Sequence, residues 1–211
     1  AAFETMHANK MFSEMTVYIE ACESGSMFEN KLKDNLNIYA ITAANSKESS
    51  WGSYCSPDDK VDGKSIRSCL GDLFSVNWME DSDKANMSKE TLLQQFNTVK
   101  KETTKSHVQE FGDLSWQSEP IGDFQAGTVD EVTPHHKWWS NFKKAGKAFL
   151  KDAVKYDDLV SHRKNEFAVD SRDVQLHYKY QAVMEDPSIE NNKALQDELT
   201  SRMNTDLMFA N

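Results

Sequence analysis

The feature that most constrains this chain is a short run of β-formers, Met15-Thr16-Val17-Tyr18-Ile19, closed by Glu20-Ala21-Cys22 and then by the small residues Ser24, Gly25 and Ser26. An apolar run this short, bounded by turn residues, reads as a buried strand. Open α/β sheets place ligands and reacting groups beyond the carboxyl ends of their strands. This order puts a thiol there. A second apolar run, residues 36–42, follows a polar, helix-compatible stretch. Strands alternating with helices predict a parallel sheet covered on both faces.

The 211 residues, 38% of them hydrophobic, suffice for one sizeable domain or a domain with an appendage. A net charge of −10 argues against a nucleic-acid binder, which needs a basic face. No apolar run approaches the roughly 20 residues that cross a bilayer. The opening residues Ala1-Ala2-Phe3-Glu4 lack an initiator Met, a basic segment and an apolar stretch, which predicts a processed, truncated or partial chain.

Residues 1–12 read as the end of a helix, and residues 70–78 as a further ordered stretch. Ser88 is expected to cap a helix whose apolar face is Leu92, Leu93, Phe96 and Val99. Residues 106–111 read as another short strand. After Gly127 the composition shifts, and three amphipathic helices are expected: one on Phe142, Ala145, Phe149, Ala153 and Tyr156, one on Val174, His177, Tyr178 and residues 180–183, and one on Leu195, Leu199 and Met203. They read as an appendage, not a continuation of the sheet. Cys55 and Cys69 flank a turn-rich loop that a disulfide would close, leaving Cys22 as the odd thiol; three reduced cysteines are the other reading. His135-His136 beside Trp138-Trp139 lacks a spaced carboxylate or thiolate and is not read as a metal site.

Several ordered motifs carry a family likeness. Glu20-Ala21-Cys22-Glu23-Ser24-Gly25-Ser26, Tyr39-Ala40-Ile41-Thr42-Ala43-Ala44-Asn45, Glu48-Ser49-Ser50-Trp51-Gly52-Ser53-Tyr54-Cys55, the stretch from Cys69 to Asp83, and Ser106-His107-Val108 all resemble the legumains. These are the asparaginyl endopeptidases, or vacuolar processing enzymes, of the caspase-like cysteine peptidases. The likeness is dense over about residues 1–125 and thinner around Ser171-Arg172-Asp173.

The resemblance implies an α/β fold: a caspase-like three-layer αβα sandwich with a mostly parallel sheet, incomplete at the N-terminus. Residues 1–127 would be the C-terminal part of the catalytic domain. Residues 128–211 would be a helical activation peptide and the start of a prodomain. It implies Cys22 as nucleophile, Glu20, Ser50 and Asp72 as the pocket for the residue before the cut, and a Cys55–Cys69 disulfide. The partners are peptide and protein substrates cut after Asn, less readily after Asp, with no cofactor and no metal. A neutral aspartic acid resembles asparagine, whereas its ionised form would be repelled by Glu20 and Asp72.

Asn86-Met87-Ser88 is a glycosylation sequon, and Asn191, Asn192 and Asn204 are candidate self-cleavage points of a zymogen. A lysosomal, vacuolar or secreted location follows. The family's catalytic His-Gly pair lies on a strand before this chain begins. His7 reads as a surface helix residue and His107 as structural. A catalytically silent binding or assembly module of the same fold, paired with an N-terminal part or a second chain, is the alternative.

Overall fold

The computed structural model describes residues 2–125 and 163–209. Helix α1 (Ala2–Ala8) precedes strand β1 (Met15–Ile19), which pairs in parallel with β2 (Ile38–Thr42), Met15 opposite Ile38 and Ile19 opposite Thr42. Strand β7 (Gln109–Gly112) joins the other edge of β2 antiparallel, Ala40 opposite Phe111. Every residue of β2 is buried, the mark of a central strand covered on both faces. Gly112 ends β7 at φ +88°, and a Cβ there would lie 2.1 Å from the Ile38 carbonyl oxygen. Only glycine fits.

Alternation along β2 sends Tyr39 and Ile41 to one face and Ile38 and Ala40 to the other. Tyr39 and Ile41 meet α2 (Leu73–Lys84) and α3 (Leu92–Glu102) through Phe74, Leu92, Phe96 and Val99, with Trp116 and Ile121 closing the cluster. On the opposite face Phe28 bridges α1 and the sheet, its ring 6.2 Å from Phe3 and 5.9 Å from Phe111. Helices thus cover both faces, and the expected αβα layering is present.

A second, smaller sheet lies in the order β6 (Gly71–Asp72), β3 (Trp51–Ser53), β8 (Val169–Asp170), all neighbours antiparallel. Between β3 and β6 the hairpin of β4 (Lys60–Val61) and β5 (Lys64–Ser65) sits in a loop closed by the Cys55–Cys69 disulfide. That bond settles the cysteine alternatives. A short helix, α4 (Gly122–Gln125), ends the first described segment.

Ser88 does not cap α3. Its hydroxyl and amide donate to Asn86 Oδ1, at 3.0 and 3.3 Å. Thr91 is the cap, in a reciprocal box: Gln94 N–H donates to Thr91 Oγ1 at 3.2 Å and Thr91 N–H to Gln94 Oε1 at 2.9 Å. Thr-x-x-Gln supplies the glutamine at the third helical position that the box needs, while three residues after Ser88 stands Thr91. Thr91→Ala should lower the unfolding free energy by about 1 kcal/mol, and Ser88→Ala by less than half as much. Urea titrations of the two variants check this.

Of the three C-terminal helices expected, the first falls outside the described residues. The others are α5 (Val174–Glu185) and α6 (Ile189–Phe209). The segment before them is not a detached appendage. Lys164 is buried, with its ammonium 3.0 Å from Glu80 and 3.2 Å from Glu102. Arg163 makes a two-point bond to Asp58, and β8 extends the small sheet. Among the described residues no helix is long and apolar enough to cross a membrane.

Candidate active site

The end of β1 delivers the thiol. The Ala43 amide donates to the Ile19 carbonyl at 3.0 Å, carrying the parallel ladder to the strand's last residue. Beyond it Glu23 takes the left-handed conformation, φ 48°, and a 3-10 turn (Ser24–Met27) follows. That turn is pinned to the exit of β2: Ser24 Oγ donates to the Ala44 carbonyl at 3.2 Å and accepts from the Ala44 amide at 3.0 Å. Gly25 N–H also reaches the Ala44 carbonyl, and a Cβ on Gly25 would lie 3.0 Å from the 45–46 backbone. The glycine three residues after the cysteine is therefore a packing requirement. Cys22, held by this turn, is half-buried and free.

Of the three expected pocket residues, Ser50 meets it directly, Asp72 is linked to it through Ser50 and Ser171, and Glu20 lies near Asp72. Cys22 Sγ lies 3.7 Å from Ser50 Oγ, which comes from the residue before β3. Ser50 in turn donates to Ser171 Oγ at 3.1 Å, and Ser171 donates to Asp72 Oδ1 at 3.3 Å. Asp72 is the N-cap residue of α2 but makes no capping bond. Glu20 explains why. Its Oε2 accepts from the Ser75 amide at 2.7 Å, the donor that a capping side chain would normally take. Glu20 thus caps α2 from the end of β1, and Asp72 is left facing the serines.

The second Glu20 oxygen, Oε1, is buried and has no partner among the described residues. Burial pushes the Glu20 carboxyl up to about 7; the Ser75 hydrogen bonds oppose that rise, and repulsion by Asp72 adds to it. Burial also raises Asp72, with the Ser171 hydroxyl opposing. The pocket is acceptor-rich and reluctant to carry its full negative charge.

At the rim Arg172 makes a two-point bond to Glu23, with Nη1 donating to Oε1 at 2.7 Å and Nη2 to Oε2. The pairing lowers Glu23 and raises Arg172. The thermodynamic weight of such an exposed pair is small; its use is geometric.

Among the described residues no histidine hydrogen-bonds to Cys22. His7, on α1, lies against Phe12 at a ring distance of 6.2 Å. His107 is exposed and bonded through Nδ1 to Glu48 at 2.8 Å, its amide bound to the other Glu48 oxygen. Glu48 also receives the Asn45 amide, and its carbonyl accepts from Glu23 N–H at 2.7 Å. These bonds agree with a structural part for His107, which ties the 45–48 loop to the turn after Cys22. His177 is on α5; His135, His136 and His162 lie outside the described residues.

Asn86 is exposed, its side-chain oxygen accepting from Ser88. Asn191, Asn192 and Asn204 all fall inside α6. The amides of Asn191 and Asn192 cap carbonyls of the preceding turn, those of Asp186 at 2.9 Å and Ser188 at 2.9 Å.

The sequence alone assigns no part to Ser171 or Arg172. The thinner likeness around Ser171-Arg172-Asp173 was the available signal.

Residues 1–128 match the Peptidase C13 family. The chain is 56% identical over 114 residues to the vacuolar-processing enzyme delta-isozyme of Arabidopsis thaliana, which covers 52% of this chain and 24% of that protein. It is 49% identical over 112 residues to the vacuolar-processing enzyme of Vicia sativa, covering 51% of this chain and 23% of that one. With the legumain of Canavalia ensiformis it shares 43% identity over 140 residues, 62% of this chain and 29% of that protein. The matched stretch spans about a quarter of the length of these relatives. With the thiol at the mouth of β1 and this agreement across the body, the chain belongs to the Peptidase C13 family.

Proposed function

We propose that the whole protein is a cysteine endopeptidase that cuts peptide bonds after asparagine, with Cys22 as nucleophile and Glu20, Ser50 and Asp72 reading the side chain. The observation that carries this is the convergence of a free thiol with an acceptor-rich pocket: Cys22 Sγ stands 3.7 Å from a serine linked onward to a carboxylate. An asparagine side chain offers two N–H donors, which such a pocket accepts.

The thiolate attacks the scissile carbonyl and forms a thioester as the amine leaves; water then hydrolyses it. The Glu23 amide is engaged by the Glu48 carbonyl, while the Cys22 amide makes no hydrogen bond among the described residues and is free to face a developing oxyanion. An amine in place of water would ligate the acyl group to a second peptide.

The names of the relatives support a vacuolar location, and the disulfide fits an oxidising route to it. Asn86, exposed beside its serine, is the proposed glycosylation site. Self-cleavage within residues 191–204 requires α6 to unwind locally, since a peptidase cleft takes extended chain; Asn191 and Asn192, in the first turn, open more readily than Asn204.

Fluorogenic peptides ending in Asn, Asp, Ala or Lys test the reading in the full-length protein. Asn peptides should be cut at least tenfold faster than the rest at pH 6.5. The Asp peptide should gain on Asn as pH falls toward about 4, where its side chain takes up a proton. Preference for Ala or Lys would sink the assignment.

A further inference from the structure

We propose that Ser171 is a specificity-determining residue of the same pocket, setting the direction of its hydrogen bonds so that it accepts an asparagine amide. The inference rests on the asparagine reading above.

Ser171 is held in place from several sides. Strand β8 ends one residue before it, with Asp170 opposite Trp51, and the Ser171 amide donates to the Ser50 carbonyl at 3.0 Å. Arg172 is clamped to Glu23. From α6, Arg202 donates through Nη2 to the Arg172 carbonyl and through Nη1 to Asp173 Oδ1, each at 2.6 Å. Residues 169–173 therefore form a fixed strap across the pocket. They come from a part of the chain whose sequence reads as releasable pro-segment.

A hydroxyl has one proton to donate and two lone pairs. Ser50 donates to Ser171, and Ser171 donates to Asp72. Both hydroxyl protons point along the relay toward the carboxylate. What Ser50 turns to an occupant is therefore acceptor, and Asp72 Oδ2 is a second acceptor. A side-chain NH2 directed at Ser50 and Asp72 meets lone pairs on both. An aspartate oxygen meets the same lone pairs and is rejected. Without the Ser171 hydroxyl, the Ser50 proton is released to turn inward as a donor, and Asp72 loses a bond that holds its charge. Asparagine then loses its advantage over aspartate.

The test uses the full-length protein, with enzyme normalised by absorbance and folding checked by circular dichroism. Ser171→Ala should lower kcat/KM on an Asn peptide about 10- to 100-fold, mainly through KM, the range for removing a hydrogen bond to a charged group. It should also narrow the Asn-to-Asp ratio at pH 6.5 at least fivefold. Ser171→Thr, which keeps the hydroxyl, should stay within about threefold of wild type. Ser171→Cys, nearly isosteric and a weak donor, should behave as the alanine variant; the Cys and Thr comparison decides the matter if alanine prevents folding.

Wild type with no preference for Asn overturns the functional reading and this proposal together. Wild type that prefers Asn, with an unchanged ratio in Ser171→Ala or equal ratios in the Cys and Thr variants, overturns the part given to Ser171 alone. The proposal also requires residues through Asp173 to stay with the catalytic body. An active, acid-processed enzyme whose mass shows Ser171 lost overturns it.

Discussion

Cys22→Ala in the full-length protein is expected to abolish cleavage of Asn peptides, lowering kcat by about four orders of magnitude or more, the scale on which removing a nucleophile acts in acyl-transfer peptidases. The sequence holds three cysteines, and the disulfide takes Cys55 and Cys69. One thiol in this chain is left to act. Its backbone is held: the turn after it is bonded three times to Ala44. Cys22→Ser should fare little better, because a hydroxyl near neutral pH is a far weaker nucleophile than a thiol. Folding of the variants is checked by circular dichroism. Native alkylation should label one residue of the chain, Cys22, and stop turnover in step with labelling. More than about 1% residual activity in Cys22→Ala, against that scale of loss, would remove the thiol from the mechanism.

The parts of this fold legible in the sequence were those fixed by neighbours along the chain. β1 and β2 lie where the apolar runs place them, since a buried strand is a continuous stretch of β-formers. The turn after Cys22 was legible for a similar reason: Gly25 is needed because the 44–46 backbone leaves no room for a Cβ, and Ser24 because its hydroxyl bonds the Ala44 backbone. Helix α3 was legible on its apolar face but not at its start, because serine caps are common and only the pairing of Thr91 with Gln94 distinguishes the true one.

What the sequence hid was contact over long separation. Lys164 looks like any solvated lysine until two glutamates, 84 and 62 residues away, are seen around it. Glu20 reads as a pocket carboxylate through resemblance, yet its second duty, capping α2 at Ser75, has no local signature because cap and helix are 55 residues apart. Ser171 was concealed by position: it follows a stretch whose composition marks a pro-segment, and only the pairing of β8 with β3 carries it back to the pocket.

That double duty of Glu20 gives the second large effect. Folded, its carboxyl titrates at about 7 against an ordinary 4.5, chiefly because it is buried. Below pH 4.5 it is neutral in both folded and unfolded chains and costs nothing. Between 4.5 and 7 the unfolded chain ionises while the folded one keeps its proton, so stability falls as pH rises; above 7 the loss is complete. A shift of this size corresponds to about 3 kcal/mol. Asp72, Asp81 and Glu90 are raised too, each chiefly by burial, and act in the same direction. Glu4, Glu23 and Glu198 are lowered by surface partners and act oppositely, but solvent and salt screen them.

The 211-residue chain should therefore be more stable in urea at pH 5 than at pH 8. Glu20→Gln, which keeps an acceptor for the Ser75 amide, should remove roughly 3 kcal/mol of that difference. A wild-type profile as flat as the variant's would show that Glu20 carries its charge in the folded state, and would refute the account. A body that gains stability on acidification would suit the vacuolar peptidase proposed above. The group that confers this is also one proposed to read the substrate, so on that proposal the variant should trade pH dependence for a weakened preference for asparagine.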